Sequence, residues 1–255
     1  MAVICRPVAG LRSLPDSGSE MLTQEVFGRV VEVLTRRENW VQCRLSDGYE
    51  GWMPAGAVSE DPGGPAASHV VRRRFARVSS EASGELMIPL GSHLAAEDEG
   101  QGSLVVALPG GGRARVERKD ACPLDSLPWD CGRFGEVKRE VIGTPYLWGG
   151  KSTFGFDCSG LVQAMFEFLG HRLPRDSGEQ ARRGEMVEDL GRALPLDLLF
   201  FGDAGGIDHV GIHMGDMSML HASGHVRVES LSEVSDLFRP DLLERFRFAR
   251  RFLRA

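Results

Sequence analysis

The 255-residue sequence has no run approaching 18 consecutive apolar residues, which excludes a membrane-spanning helix. It has no excess of one charge. Thirty Lys and Arg stand against 36 Asp and Glu, and the two halves divided at residue 125 carry 14 against 17 and 16 against 19, −3 each. Nucleic-acid binders gather Lys and Arg on one face, so no nucleic-acid partner is expected. Cysteine is scarce: Cys5, Cys43, Cys122, Cys131 and Cys158 are odd in number, and the nearest pair are nine positions apart. That suggests neither a disulfide framework nor a C-x-x-C metal or redox site. The opening MAVICRPVAGLRSLPDSG is broken by Arg6 and Pro7 and lacks the apolar stretch and cleavage site of a secretory signal. The chain therefore reads as cytoplasmic, or as periplasmic or secreted if a leader was trimmed.

Turn-formers are abundant instead, with 32 Gly and 13 Pro, and 42% of residues are apolar. Short elements around a real core are expected, not long helical bundles. Residues 1 to about 60 read as short strands, with Val26–Val33 and Trp40–Leu45 alternating and Asp47-Gly48 a tight-turn signal. Residues 60–68 read as a linker. A similar pattern returns about 63 residues later: Ile88-Pro89-Leu90-Gly91 for Val26-Phe27-Gly28, Ser103–Leu108 for the second strand, Ala114–Ala121 for Gly51–Val58. Two small β-barrels in tandem fit this repeat.

After Pro128 the texture changes. Leu161, Val162, Met165, Phe166 and Leu169 have helical spacing, with Asp157 or Ser159 as cap and Gly170 as terminator. Leu196–Phe201 reads as a buried strand, and His209–Met214 and Leu220–Glu229 as further strands joined through Gly215-Asp216, while Asp236–Ala255 gives no firm pattern. A helix followed by an antiparallel sheet is α+β.

Cys158 stands at the predicted helix start, where unpaired N–H groups and the positive dipole end favour a thiolate. The other four cysteines read as ordinary buried thiols. A thiolate nucleophile needs a base. His209 and His221 fall directly opposite one another if their strands are joined by a three-residue loop centred on Gly215, so that one ring can orient the other. His213 lies too far along the strand to serve the same sulfur. A zinc site from Cys158, His209 and His221 has the ligand types but not the usual short spacings.

Tyr146-Leu147-Trp148-Gly149-Gly150, the segment Gly155 to Gln163 around Cys158, Asp208-His209-Val210-Gly211-Ile212 and Leu220-His221-Ala222-Ser223 together resemble the NlpC-type cell-wall cysteine peptidases, over residues 140 to 228. Asp47-Gly48-Tyr49-Glu50-Gly51-Trp52 resembles the bacterial SH3-like barrels that accompany them. The resemblance implies two SH3-like barrels, at 1–62 and 63–125, before a papain-like α+β domain at 126–255. It implies Cys158 as nucleophile, His209 as base and acid, and His221 as orienting residue. Chains with such barrels resemble enzymes that cleave murein peptides between γ-D-glutamate and a diamino acid, diaminopimelate or lysine, when the L-Ala end is free. By that likeness Tyr146, Asp157, Ser159, Arg175 and Ser177 line the substrate pocket, and Tyr49 with an acidic residue near Glu20 closes it from the first barrel. No cofactor or metal is implied, and the murein peptide is the partner. The oligomeric state stays open, as do an amidase or acyltransferase on the same Cys–His pair and a non-catalytic binding module. Three positions depart from the pattern: Asp208, expected to raise the pKa of His209, His213 where an aromatic is usual, and Arg29 where an acidic residue is common.

Overall fold

The computed structural model describes residues 1–252 apart from 83, 101, 129 and 130. The first seven strands are β1 (Ala2–Ile4), β2 (Val8–Arg12), β3 (Met21–Val26), β4 (Val30–Arg37), β5 (Trp40–Arg44), β6 (Glu50–Pro54) and β7 (Val58–Ser59). They form one sheet in the order β3-β2-β6-β5-β4-β1-β7, closed around Ile4, Leu11, Val41, Cys43 and Met53. The next seven are β8 (His69–Val71), β9 (Phe75–Ser80), β10 (Gly84–Pro89), β11 (His93–Glu99), β12 (Ser103–Ala107), β13 (Arg113–Glu117) and β14 (Ala121–Pro123). Their order, β10-β9-β13-β12-β11-β8-β14, is the same topology strand for strand. The register of the repeat is visible in the backbone. The 3-10 turns at Ala55–Ala57 and Arg118–Asp120 lie 63 residues apart, as do Gly28 and Gly91, with φ of 76° and 84°.

The run Val26–Val33 is broken, not continuous: β3 ends at Val26 and β4 starts at Val30. Phe27, between them, leaves its own barrel and packs into the core of the second, with its carbonyl accepting from the His93 N–H at 2.9 Å. A Cβ on Gly28 would fall 1.9 Å from the His93 carbonyl oxygen, so the barrels touch here only because residue 28 has no side chain.

The remainder carries helix α1 (Cys131–Val141), a short pair β15 (Lys151–Ser152) and β16 (Gly155–Phe156), helix α2 (Cys158–Phe168) and helix α3 (Ser177–Gln180). Strands β17 (Glu185–Val187), β18 (Leu198–Asp203), β19 (Gly206–Gly215), β20 (Ser218–Ser223) and β21 (His225–Ser230) follow, then helix α4 (Pro240–Arg245) and strand β22 (Phe246–Arg251). The sheet order is β17-β22-β18-β19-β20-β21, antiparallel throughout. The C-terminal stretch without a sequence pattern thus supplies α4 and a central strand. What reads in sequence as one strand, Leu220–Glu229, is a hairpin, because Gly224 adopts φ 72° and turns the chain. Helix α2 lies on one face of this sheet and buries Leu161, Val162, Met165 and Phe166 completely. Such burial stabilises by about 1.5–3 kcal/mol for each side chain.

The barrels are docked onto this core by buried charge. Lys151 lies 3.6 Å from Glu25 and 3.4 Å from Glu167, and Arg29 reaches Glu167 at 3.1 Å. Arg29 holds Glu167, on the last turn of α2, far below the usual carboxylate range, at about 2. Arg29 is therefore an interface residue and does not line the pocket beside Cys158. The second barrel contributes Arg73 and the Arg74 backbone to Glu140 of α1, and Phe75 to a ring contact with Phe154 at 4.8 Å.

Candidate active site

Cys158 is the first residue of α2, and Asp157 is its cap: the Asp157 carboxylate accepts the Gly160 N–H at 2.7 Å. An Asp cap of this kind is worth about 1 kcal/mol. Glycine is required at 160, because a Cβ there would fall 2.1 Å from the Gly150 carbonyl oxygen. The tight crossing of Gly149-Gly150 over the helix start lets Asp157 take the Gly149 N–H as well, at 2.9 Å.

The side chain of Asp157 is then claimed by Arg175, whose Nη2 donates to it at 2.5 Å while Nη1 donates to Ser159 Oγ at 2.9 Å. Arg175 Nε donates to Thr23 Oγ1 of the first barrel at 2.7 Å, and the guanidinium is 2% exposed. Every arm of Arg175 is used, so it is a clamp that fixes the helix start and the barrel together. Asp157, taking donors from Gly149, Gly160 and Arg175, has little capacity left for a ligand.

A cavity of about 140 Å³ opens above Cys158. Tyr146, Asp157, Ser159, Arg175, Ser177, Tyr49 and Glu20 all line it, together with Trp148, Asp176 and Asp208. Tyr49 is brought there by its turn: Asp47 accepts the Tyr49 N–H at 3.0 Å and the Gln163 amide of α2 at 2.8 Å. The Tyr49 hydroxyl donates to Asp176 at 2.9 Å, and burial with this carboxylate pushes its pKa up to about 12. Glu20 accepts the Trp148 indole N–H at 3.0 Å. The first barrel thus walls one end of the cavity, and the carboxylates there with spare acceptor capacity are Glu20 and Asp176.

His209 lies on β19 and His221 on β20, and His209 Nε2 meets His221 Nδ1 at 2.8 Å. They are diagonal neighbours, not opposed. The loop is a two-residue turn, Asp216-Met217, both with positive φ, and a bulge before Gly215 shifts the register so that Ile212 faces Leu220. His221 therefore stands beside Gly211, where a Cβ would come within 3.3 Å of the His221 Cβ and 3.0 Å of Met219 Sδ. The missing side chain at 211 lets the two rings meet across it. His213, the next residue on that face, is buried at 3% exposed with neither ring nitrogen hydrogen-bonded.

A residue that the motif reading missed completes the row. His221 Nε2 meets Glu229 Oε2 at 2.8 Å, and Glu229 Oε1 accepts from Arg239 at 2.6 Å, with Arg239 anchored in turn on Asp241. A carboxylate only accepts, so His221 carries its proton on Nε2 and presents a bare Nδ1. His209 must then donate from Nε2, leaving its Nδ1 lone pair free. The signal was in the sequence: a hairpin turned at Gly224 puts Glu229 diagonal to His221 on one face.

The sulfur of Cys158 receives the backbone N–H groups of Ser159 and of Val210, the residue after His209. Burial, with the Asp157 carboxylate second, nevertheless pushes the thiol up to about 11. Burial, then the His221 ring and Arg245, push His209 down to about 3. The helix-start argument for a standing thiolate is thus overridden by desolvation, and both groups are neutral at rest. Asp208 does not raise His209 because Arg245 covers both its oxygens at 2.6 Å. Ionisation also fails to distinguish Cys158 from Cys43 and Cys122, whose thiols burial raises too. What sets Cys158 apart is the cavity above it and the backbone of Val210, the residue after His209, at its sulfur. The Cys131 side chain lies outside the described residues. A zinc ion shared by His209 and His221 does not fit two rings already bonded to each other. No group of three or more His, Cys, Asp or Glu able to hold a metal occurs among the described residues.

Residues 143–240 match the model of the NlpC/P60 family, and residues 11–58 match the bacterial dipeptidyl-peptidase SH3 domain. A gamma-D-glutamyl-L-lysine dipeptidyl-peptidase of Bacillus subtilis is 31% identical over 78% of this chain and 71% of its own length. The chain belongs to the NlpC/P60 family. Dipeptidyl-peptidase 6 of Lysinibacillus sphaericus is 29% identical over 94% of this chain and 95% of its own. An NlpC/P60 protein from Bacillus cereus superposes with a TM-score of 0.88 at 25% identity, covering 99% of both chains. The fold is accordingly that of SH3-like β-barrels followed by an α+β NlpC/P60 domain, and the protein is an NlpC/P60 cysteine peptidase. No helix among the described residues is long and apolar enough to cross a membrane.

Proposed function

We propose that this enzyme hydrolyses the amide bond between γ-D-glutamate and a diamino acid in murein peptides whose N-terminal L-Ala is free. The observation that carries the reading is the wall placed across one end of the Cys158 cavity by Glu20 and Tyr49 of the first barrel. A peptide reaching the sulfur must end there, and the carboxylates of Glu20 and Asp176 suit a terminal ammonium. The names of the Bacillus and Lysinibacillus relatives point to the same bond class. In this reading residues 1–62 and 63–125 are two barrel units, of which the first shapes specificity, and residues 126–255 form the hydrolytic unit.

The scissile carbonyl sits over the start of α2, where backbone N–H groups stabilise the oxyanion. His209 Nδ1 takes the proton of Cys158 as sulfur attacks, since neither group is ionised beforehand. The imidazolium formed is held by His221 and, through it, by Glu229. His209 then protonates the leaving amine, and water hydrolyses the thioester. Tyr146, Ser159 and Ser177 line the acyl side, while Asp157 and Arg175 serve mainly to fix the frame.

The test is digestion of L-Ala-γ-D-Glu-diaminopimelate beside its N-acetylated form. Release of L-Ala-γ-D-Glu from the free peptide alone is expected, and none from either with Cys158→Ala. No cleavage of the free peptide refutes the reading and leaves amidase or acyl-transfer chemistry; equal cleavage of both peptides refutes the barrel's part in it.

A further inference from the structure

Hydrolysis by this site leaves one side of the cavity unassigned. The acyl part of the substrate occupies the end walled by Glu20, Tyr49 and Asp176. The leaving amine must lie toward His209, because His209 has to hand it a proton. The diamino acid attached to that amine therefore extends past His209, and the lining residue that stands beside His209 is Asp208. Its carboxylate is half-exposed and held by Arg245, the last residue of α4, with both oxygens at 2.6 Å from Nη2. A single nitrogen spans both oxygens, so the rest of the guanidinium fork, Nη1 and Nε, is not spent on Asp208.

Asp208 in the cavity lining and Arg245 paired with it, an anion and a cation side by side, display the reverse of a zwitterion. The two diamino acids differ in that respect. Lysine ends in an ammonium alone, whereas meso-diaminopimelate ends in a carbon bearing both an ammonium and a carboxylate. We propose that Asp208 and Arg245 form the subsite for the leaving group's side chain, and that they select a zwitterionic terminus over a lone ammonium. The proposal rests on the hydrolytic reading above and adds the diamino acid to it.

The energetics favour exchange. An exposed ion pair contributes little by itself, so opening it to a ligand costs little. The diaminopimelate terminus gives each charge a new partner: its ammonium on Asp208, its carboxylate on the planar fork of Arg245, which binds carboxylates through two parallel hydrogen bonds. The lysine ammonium takes Asp208 and leaves Arg245 with nothing in exchange. Because the site stays partly open to water, the discrimination is modest, about five- to tenfold in kcat/KM.

The experiment compares kcat/KM for L-Ala-γ-D-Glu-meso-diaminopimelate and L-Ala-γ-D-Glu-L-Lys with the full-length wild type, Arg245→Gln and Asp208→Ser. The wild type is expected to favour the diaminopimelate peptide by about five- to tenfold. Arg245→Gln should bring the ratio to about one, and Asp208→Ser should raise KM for both peptides. A purely structural ion pair would lower both rates and leave the ratio where it was. A wild-type ratio near one, or a ratio that survives Arg245→Gln, overturns the subsite. Failure of the wild type to cut either peptide overturns the hydrolytic reading itself, a different result from equal cutting.

Discussion

Removing the carboxylate of Glu229 tests whether the row from His209 to Arg239 acts as a unit on the proposed nucleophile Cys158. In Glu229→Ala the His221 Nε2–H, on a fully buried ring, loses its acceptor, and Arg239 loses one of its two carboxylates. A hydrogen bond to a charged group is worth about 1.5–3 kcal/mol, and at about 1.4 kcal/mol per decade that is roughly 10- to 150-fold in rate if it acts only in the transition state. Glu229→Gln separates charge from shape. Its carbonyl can satisfy Arg239 only by turning its NH2 toward His221, which drives the His221 proton to Nδ1 and the His209 proton to Nδ1, the nitrogen that must be bare. Both variants should lose kcat with KM little changed. Glu229 raises the His221 pKa against the effect of burial, so without it the acid limb of kcat/KM moves to lower pH. Steady-state kinetics on the free murein tripeptide, from the lowest pH at which the enzyme stays folded up to about pH 9, read all three quantities. A folded Glu229→Ala enzyme with wild-type kcat would refute the relay and reduce Glu229 to a packing residue.

Gly211→Ala forces a Cβ against His221 and Met219 Sδ, so it should lower kcat at least tenfold and cost about 1–3 kcal/mol of stability by overpacking, measured by kinetics and denaturant unfolding. Arg175→Met leaves the buried Asp157 carboxylate without its cation and should cost about 3–5 kcal/mol, with Tm as the readout. Acid should unfold the protein early. His209 and His93 are depressed to about 3 and His221 is depressed too, so each binds its proton in the unfolded chain first. Their stabilisation is whole above about pH 6.5 and is lost as pH falls toward 3, a combined slope of up to about 4 kcal/mol per pH unit. A Tm flat between pH 6.5 and 4.5 would contradict their burial as neutral rings.

The parts of this molecule legible in its sequence are those set by neighbours in the chain. The 63-residue repeat, the Asp157 cap and the Asp47-Gly48 turn depend on local backbone preference, and they stand where the residues put them. The row of charges behind the histidines depends on strand register, which one bulge before Gly215 and one glycine at 224 decide. Neither announces itself, so the sequence alone sets His221 opposite His209 and runs Leu220–Glu229 together as one strand. Asp208 misled for a related reason: the residue that neutralises it, Arg245, lies 37 positions away on a helix with no sequence pattern.

The ionisation states carry the same lesson into the chemistry. A helix start lowers a thiol's pKa by a local field, but burial acts through the whole surrounding volume, and here it wins by enough to keep Cys158 a thiol and His209 an imidazole. In the proposed mechanism, burial of that kind also penalises the imidazolium that forms on His209 during attack. No cation belongs in that cavity unless an anion answers it, and Asp208 is occupied by Arg245. Glu229, reached through the His221 ring, is the carboxylate hydrogen-bonded into the row, so the charge that appears on His209 is answered two hydrogen bonds away. Under the proposed mechanism such a row stays neutral at rest and polarises as a carbonyl takes the sulfur.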